Sequence, residues 1–232
     1  MKKSLLVGIC ATRKGVKYAR FRDSMAKLTD SLTDDYCIGI FTMSDTFLPD
    51  AQNTIAEKFI EERHDLLLLL DDDHWGHTKE MFECLVRASA PMATIKTYSR
   101  HYPYSCALMR KDKKTYYGIE NGKGYMDCDM TGFPMTLIKR EVFERLDRPY
   151  FRPTKGDARP WTTDKDFCQR LIQVGITPVG CFQHCLPHDD ITQENVMERR
   201  YRERNKNNNI ALYNLFNNNQ KKQGDKLCTV HQ

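Results

Sequence analysis

The sequence predicts an α/β protein in which a mostly parallel central sheet is flanked by helices. Apolar runs of strand length alternate with segments whose apolar residues recur at helical spacing over roughly the first 90 residues. The apolar runs are nearly continuous, as in strands that are covered on both faces. Helical crossovers between such strands are right-handed, which favours a parallel sheet in this part of the chain.

The first half of the chain supplies three strands and three helices in alternation. The strands are predicted at 4–12, 36–43 and 65–70, and a loop is predicted at 44–53. The helices follow each strand, and the first two place apolar side chains on one face: Phe21, Met25, Leu28 and Leu32 in the first, and Ile55, Ala56, Phe59 and Ile60 in the second. The third helix is predicted at 78–89. This half is typical of a nucleotide-binding unit.

The second half has a different pattern, which predicts a mixed sheet. After Pro91, short β-like runs are separated by turn signals such as "KDKK" and "NGKG". A further strand in "FPMTLIKR", a short helix, and a helix that ends at Gly175 precede the last strand in "ITPVGCFQHC". We therefore expect one domain over 1–190, with halves 1–90 and 91–190. A basic, partly helical and Asn-rich extension over 191–232 follows it.

The distribution of charge and the cysteine content limit the partners and the compartment that we expect for the protein. The net charge is +5, and the segment from Val196 onward, with eight Lys/Arg and three Asp/Glu, accounts for all of it. We therefore expect any attraction to polyanions to lie in this segment. The nine cysteines are odd in number and scattered through apolar runs, as in reduced intracellular proteins. No apolar run is long enough to cross a bilayer, so we expect a cytoplasmic protein without membrane segments.

Three adjacent carboxylates directly follow the third predicted strand. In "HDLLLLLDDDHW", Asp71, Asp72 and Asp73 come after five leucines. Ligands of open α/β sheets bind beyond the carboxyl ends of the strands, and clustered carboxylates favour Mg²⁺ or Mn²⁺. A solvated loop, or acids at the start of the next helix, would be the alternative. The placement after a buried strand favours the cation site.

These segments resemble family 2 glycosyltransferases of the GT-A fold. "AQNTIAEKFIEERHDLLLLLDDDHW" is similar to the nucleotide-sugar site of that family, in which an apolar strand ends in a D-x-D motif. "GFPMTLIKREVFERL" and "TTDKDFCQRLIQVGITPVG" resemble its next strand and its acceptor-side helix, and "HCLPHDD" its closing histidine. The resemblance spans about 4–190. It implies a GT-A-like sheet with a nucleotide-sugar half and an acceptor half.

The resemblance implies roles for individual residues. Asp71, Asp73 and His188 would bind the metal, with Asp73 the direct ligand. Asp164 would be the general base; the glutamate expected before it is Thr163 here, and Asp166 is the substitute base. The donor-binding set would comprise Thr12, Arg13, Asp45, Asn53, Asp71 and Asp72.

Several of these residues have other interpretations. Thr163 and Asp166 could form a helix cap, and Asn53 could fix a loop or start a helix. Cys181, His184, Cys185 and His188 could bind zinc, although strand alternation makes four convergent ligands difficult. Trp75 could stack on a sugar or pack in the core. The second acid pair, Asp127 and Asp129, precedes a strand, which indicates an acceptor-side or structural role.

The resemblance and the charge distribution together predict a function. We expect a metal-dependent, inverting glycosyltransferase that uses Mn²⁺ or Mg²⁺ and a nucleotide-diphosphate sugar such as a UDP-sugar. The basic segment favours a polyanionic acceptor, and 5-hydroxymethylpyrimidine DNA is the sharpest hypothesis, which would place the protein with virus-encoded, DNA-modifying enzymes in the host cytoplasm. A glycan glycosyltransferase, a nucleotidyltransferase and a non-enzymatic binding module are the alternatives.

Overall fold

A computed structural model of the protein describes residues 2–11, 16–44, 46–99, 104–154, 163–188, 191–192 and 194–206, with the backbone alone for 16–18. The strands are β1 (Lys3–Ala11), β2 (Tyr36–Ser44), β3 (Leu66–Asp71), β4 (Met92–Lys96), β5 (Leu108–Asp112), β6 (Thr115–Gly118), β7 (Tyr125–Asp127), β8 (Met130–Thr131), β9 (Met135–Lys139) and β10 (Val179–Cys185). The helices are α1 (Val16–Leu32), α2 (Leu48–Glu61), α3 (Lys79–Arg87), α4 (Arg140–Arg145) and α5 (Asp164–Gln173). Residues 196–206 are also helical and are called the C-terminal helix below. Within the described ranges, no helix has both the length and the apolar character that crossing a membrane requires.

Seven strands form the main sheet, in the order β2-β1-β3-β9-β4-β10-β7, and β6, β5 and β8 form a small second sheet. β1 pairs in parallel with β2 and β3, and β4 pairs in parallel with β10. β9 runs antiparallel between β3 and β4, and β7 runs antiparallel to β10. Five of the seven strands thus point the same way, which confirms the α/β class, while β9 and β7 make the sheet mixed.

Both predicted halves of the chain contribute to the main sheet. β1, β2 and β3 come from the first 90 residues, and β4, β7, β9 and β10 come from the second half. The β5–β6 hairpin turns at "KDKK", where Lys113 has a positive φ of 51°. The carboxyl ends of β3, β4 and β10 therefore meet at one edge, to which both halves supply side chains.

The five leucines of β3 are buried on both faces of the sheet. Leu66, Leu68 and Leu70 enter the core on the side of α1 and α3, and Leu67 and Leu69 enter the core on the side of α2, α4 and α5. Successive strand side chains point to opposite faces, so a strand covered on both sides must be apolar at every position. This confirms the predicted burial of the strand that carries the three aspartates.

Helix α2 begins earlier than predicted. The stretch 44–53 was expected to be a loop, but α2 starts at Leu48, with Pro49 in its first turn. Proline is favoured there because its missing N–H would have no partner inside the helix. The expectation of a loop was wrong for Leu48 onward, and Asn53 consequently lies inside the helix and not at its start.

Replacing Phe167 of α5 with alanine should destabilise the fold strongly. Phe167 is fully buried, and its ring stacks on Phe151 at 4.5 Å and meets Phe133 edge-on at 5.6 Å. Removing a buried aromatic ring costs about 3–5 kcal/mol, because the cavity does not close completely. Chemical denaturation would measure the loss, with Ile172→Ala, on the exposed side of the same helix, costing less than about 1 kcal/mol. Equal losses in the two variants would contradict this assignment of the core.

Candidate metal centre

Asp73, His74 and His188 converge just beyond the carboxyl end of β3. One potential ligand atom from each of the three lies within 4.8 Å of the others. Asp73 Oδ1 is 2.9 Å from His74 Nδ1, and Asp73 Oδ2 is 3.0 Å from His188 Nε2. The two imidazoles stack, with ring centroids 4.2 Å apart. The Asp73 carboxylate thus faces the nitrogens of two imidazoles. One belongs to the adjacent residue, His74, and the other to His188, 115 residues further along the chain.

Backbone contacts fix the two segments that supply this cluster. A tight turn follows β3, with the N–H of His74 donating to the carbonyl of Asp71. The N–H of Trp75 then donates to the carbonyl of Pro187, and His74 and His188 form an isolated antiparallel bridge. The turn after β3 is therefore joined to the segment after β10, although β9 and β4 separate those two strands in the sheet.

The tautomer of His188 is set by Tyr98. His188 Nδ1 lies 2.9 Å from the backbone carbonyl oxygen of Tyr98, which can only accept a hydrogen bond. Nδ1 therefore carries a proton. Nε2 points at Asp73 and donates to its carboxylate, and it is the nitrogen that would exchange its proton for a cation. Metal-binding histidines commonly donate their second N–H to a carbonyl in this way, which orients the ring and fixes the tautomer.

The electrostatics of the site suit a cation. Burial raises the pKa of Asp71 well above its ordinary value, and the carboxylates of Asp73, Asp164 and Asp72 raise it further. Burial also acts to raise the pKa of Asp73, but hydrogen bonds from His188 and His74 outweigh it and hold that pKa well below the ordinary range. Asp73 is therefore anionic, in a group of acids whose mutual repulsion a divalent cation would relieve.

The donor set of the cluster fits a divalent transition metal. Two imidazole nitrogens and one carboxylate are borderline ligands that suit Mn²⁺, Fe²⁺ or Zn²⁺, whereas Mg²⁺ prefers oxygen ligands. Of the two predicted cations, Mn²⁺ is the one these residues favour. Asp73 and His188 of the predicted metal set lie in the cluster, His74 joins them, and Asp71 is outside this group.

The predicted base Asp164 lies on the other side of the same acidic region. It is the first residue of α5, and its carboxylate is close enough to Asp71 to raise that residue's pKa. A Cβ placed on Gly132, in the predicted "GFPMT" segment, would lie 3.8 Å from Asp164 Oδ2. Asp164, from the second half of the chain, thus lies close to Asp71, which precedes Asp73 of the cluster by two residues.

The prediction that helix α5 begins after Thr163 is confirmed, but the predicted capping hydrogen bond of Thr163 is wrong. Thr163 is the N-cap residue, but its side chain makes no capping hydrogen bond. Its buried hydroxyl instead donates to Gln52 Oε1 at 2.7 Å, which ties the start of α5 to α2. Asp166, the substitute base, lies in the same first turn, where its carboxylate pairs with Arg170 at 3.7 Å.

Asn53 fixes a loop through both atoms of its amide. Its Nδ2 donates to the carbonyl of Phe151 at 2.8 Å, and its Oδ1 accepts from the N–H of Phe151 at 2.9 Å. These contacts support the loop-fixing interpretation over a role in donor binding.

Replacing Asn53 with alanine should therefore lower stability without weakening donor binding. Two backbone groups of Phe151 would lose their partners, which costs about 1–3 kcal/mol for each buried group left unpaired. Thermal denaturation and donor titration would measure the two effects. Thr54→Ala is the matched control, because the Thr54 hydroxyl donates to Asp50 within the same helix. A selective loss of donor affinity in Asn53→Ala would reinstate the donor-site role.

The remaining predicted donor-site residues divide into two groups. Thr12, Arg13 and Asp45 lie outside the residues that the structure describes. Asp71 ends β3, and Asp72 is buried, with 3% of its surface exposed. Its negative charge contributes to the raised pKa of Asp71. His74 was missed by sequence reasoning, although it stands directly beside the aspartates in "DDDHW".

Helix α1 borders the cluster through two contacts. The guanidinium of Arg20 lies 5.3 Å from the ring centroid of Trp75, which places Trp75 beside an exposed cation and not in the deep core. Ser24 Oγ lies 2.9 Å from Nδ1 of the buried His77. Burial and, to a smaller extent, the nearby His74 lower the pKa of His77 to about 3. His77 is therefore neutral at physiological pH.

The other acid and Cys/His sets do not converge. In the described part of the chain, the group with metal-ligand proximity contains none of Cys181, His184 and Cys185, so the zinc interpretation finds no support. Asp129 accepts a hydrogen bond from the N–H of Lys111 at 2.8 Å, which supports a structural role for the second acid pair.

Comparisons with known proteins leave the family open. No protein-family model matches the chain, and no curated protein matches it. A solved structure described as A197 from STIV is similar, with a TM-score of 0.48 and 17% sequence identity over 79% of this chain and 83% of that one.

Proposed function

We propose that the protein is a Mn²⁺-dependent glycosyltransferase with a GT-A-type fold, which transfers a sugar from a nucleotide-diphosphate donor to an acceptor hydroxyl. One observation carries the proposal: the Asp73–His74–His188 cluster begins two residues after Asp71, whose pKa the separate carboxylate of Asp164 helps to raise. A metal-binding group plus a separate base is the minimal set for an inverting transfer. The free cysteines of the described chain agree with a cytoplasmic protein.

The donor side of the reaction would rest on the metal-binding residues. Asp73, His74 and His188 would hold the cation, which when bound neutralises the charge that develops on the departing diphosphate. The Tyr98 carbonyl keeps His188 in the tautomer whose Nε2 is available. The charge of the buried Asp72, which helps to raise the pKa of Asp71, adds negative potential next to Asp73 and would favour a divalent cation there.

The acceptor side would rest on Asp164. An acceptor hydroxyl is a weak nucleophile until a positioned carboxylate takes its proton, and Asp164 would accept that proton at a carboxylate oxygen. The hydrogen bond of Thr163 to Gln52 holds the first turn of α5 in place. Asp164 is thereby supported by two elements, α2 and α5, which limits its movement during the transfer.

A polyanionic acceptor is the extension that the charge distribution supports. The described part of the C-terminal helix exposes Tyr201, Arg202 and Arg204, a combination that suits a phosphate backbone with accessible bases. We infer that the acceptor is DNA that carries a 5-hydroxymethylpyrimidine. Acceptor binding should then weaken steeply as salt rises, and equal activity on a neutral glycan at all salt concentrations would refute it.

A panel of donors and acceptors tests the reaction itself. The protein with Mn²⁺ is incubated with nucleotide sugars and with acceptors that include hydroxymethylcytosine DNA, and product masses are read. A mass increase of one sugar residue that requires Mn²⁺ supports glycosyl transfer. Transfer of the nucleotidyl group of the donor to the acceptor, with release of the sugar 1-phosphate, would instead establish the nucleotidyltransferase. Donor binding without any product would favour the binding module.

A further inference from the structure

The metal-binding histidine His188 is held from two directions. Its Nδ1 donates to the carbonyl of Tyr98, two residues beyond the end of β4. Its backbone N–H donates to the carbonyl of Ile191, and the N–H of Ile191 donates back to the carbonyl of His188. The carbonyl of Tyr98 therefore sets the orientation of the His188 ring. The hydrogen bonds with Ile191, in the segment that leads into the C-terminal helix, hold the backbone of His188 in position.

The side chain of Tyr98 is itself fixed by two cations. Tyr98 is buried, with Nζ of Lys96 4.9 Å and Cζ of Arg200 5.8 Å from its ring centroid. Cation–π contacts of this kind strengthen when the groups are desolvated. The residue whose carbonyl orients His188 is thus also the residue whose ring Arg200 of the C-terminal helix contacts.

Arg200 also joins two other segments of the second half. Its Nη2 donates to the carbonyl of Tyr104 at 2.6 Å and to Glu120 Oε1 at 2.8 Å. Glu120 Oε1 in turn accepts from the N–H of Cys106 at 3.2 Å. Tyr104 has a positive φ of 52°, a strained conformation for a tyrosine, which must be held by surrounding contacts.

Apolar packing attaches the C-terminal helix to the same region. Ile191 and Val196 are buried, with 3% and 2% of their surfaces exposed, in a cluster with Tyr98, Cys106, Leu108 and Cys128. An isolated bridge pairs Tyr98 with Cys106, so the strained Tyr104 lies in the connection between two paired residues. In the described part of the chain, the helix is thus anchored by apolar packing, by the Arg200–Glu120 ion pair and by the contact of Arg200 with the Tyr98 ring.

We propose that Arg200 is a positioning residue for the metal centre, and that metal binding and attachment of the C-terminal helix stabilise each other. The contacts of Arg200 described above are with Tyr98, Tyr104 and Glu120, so it acts on His188 through Tyr98, whose carbonyl orients that ring. Coupling between two equilibria is reciprocal. A change that weakens the attachment of the C-terminal helix should therefore lower the affinity for the metal ion, and metal binding should strengthen the attachment of the helix. This inference rests on the metal site of the proposed function but not on the reaction that the site performs.

Mn²⁺ affinity of three variants tests the positioning role. Loss of the direct outer partner of a metal-binding histidine typically weakens binding about 10- to 100-fold. Because Arg200 acts one step further out, through Tyr98, we expect Arg200→Met to weaken binding by about 10-fold, the lower end of that range. Arg200→Lys keeps the charge but not the planar fork, so it should recover part of the affinity. Arg202→Met is the matched control, because Arg202 pairs with Glu198 on the exposed side of the helix and should bind Mn²⁺ as the unaltered protein does.

Hydrogen exchange in the full-length protein tests the coupling without any activity assay. Mn²⁺ should slow amide exchange over 196–206 in the unaltered protein, and this protection should disappear in Arg200→Met and in His188→Ala. Should Arg200→Met fail to fold, Glu120→Gln removes the charge of its partner and should show the same losses to a smaller degree. Unchanged Mn²⁺ affinity in a folded Arg200 or Glu120 variant would overturn the proposal. So would an amide exchange rate over 196–206 that is the same with and without Mn²⁺ in the unaltered protein.

The same titrations separate this inference from the proposed function. If the unaltered protein and Asp73→Asn bind Mn²⁺ equally weakly, the metal site itself is refuted and both proposals fail. If the unaltered protein binds Mn²⁺ tightly, Asp73→Asn does not, and Arg200→Met binds as tightly as the unaltered protein, only the positioning role fails.

Discussion

Replacing Asp73 with asparagine should abolish metal-dependent activity and weaken Mn²⁺ binding by more than about 100-fold. Asparagine keeps the shape of the side chain but removes the negative charge that faces both His74 and His188. Loss of an outer partner alone costs about 10- to 100-fold, and loss of a direct anionic ligand should cost more. Titration of free Mn²⁺ against the folded variant measures the effect.

The second acid pair provides the control for Asp73. Asp127 belongs to the similar sequence "MDCDM", but it is exposed at the end of β7. Asp127→Asn removes one negative charge from the surface and should leave Mn²⁺ affinity and activity unchanged. Should both variants lose affinity equally, the cation attraction would be a property of the net charge and not of the cluster after β3.

Replacing Asp164 with asparagine should lower kcat by about 10²- to 10⁴-fold, the range for loss of a general base. The metal-binding cluster contains no atom of Asp164, so the KM of the donor should change far less than kcat. A fall in kcat with little change in KM identifies an interaction that matters in the transition state. Steady-state kinetics with Mn²⁺, in which the donor concentration is varied at a saturating acceptor concentration, would measure both kcat and the KM of the donor.

Asp166 is the matched control for Asp164, because both acids lie in the first turn of α5. Asp166 already pairs with Arg170, one helical turn further on, so its replacement should reduce helix stability slightly and leave kcat near that of the unaltered protein. A large fall in kcat for Asp166→Asn, with Asp164→Asn fully active, would reverse the assignment of the base.

Strand and helix identities could be predicted because each depends on side-chain periodicity within one segment. The spacing of the apolar residues in β3 and on one face of α2 is enough to predict that they are buried. The start of α2 was misplaced because the sequence around Pro49 resembles a loop, although a proline is equally suited to a first helical turn. The capping interpretation of Thr163 failed because a competing partner, Gln52, comes from 111 residues away.

Membership of the metal cluster was only partly predictable. Asp73 and His188 were predicted as members because each follows a recognisable strand, and the family resemblance implied that both bind one metal ion. The structure brings both residues into the candidate cluster. His74 was missed because a lone histidine beside three acids carries no spacing signal of its own; its role depends on the turn after β3 and on the bridge to His188.

By itself, the sequence determined that a strand buried on both faces would end in a cluster of acids, because apolar spacing and adjacent charges are local properties. Only the tertiary structure decided which acid faces the two histidines. Insertion of β9 between β3 and β4, and the bridge that brings His188 back to the turn after β3, are pairings between distant segments. Such pairings depend on the total free energy of the packed sheet, which no single segment encodes.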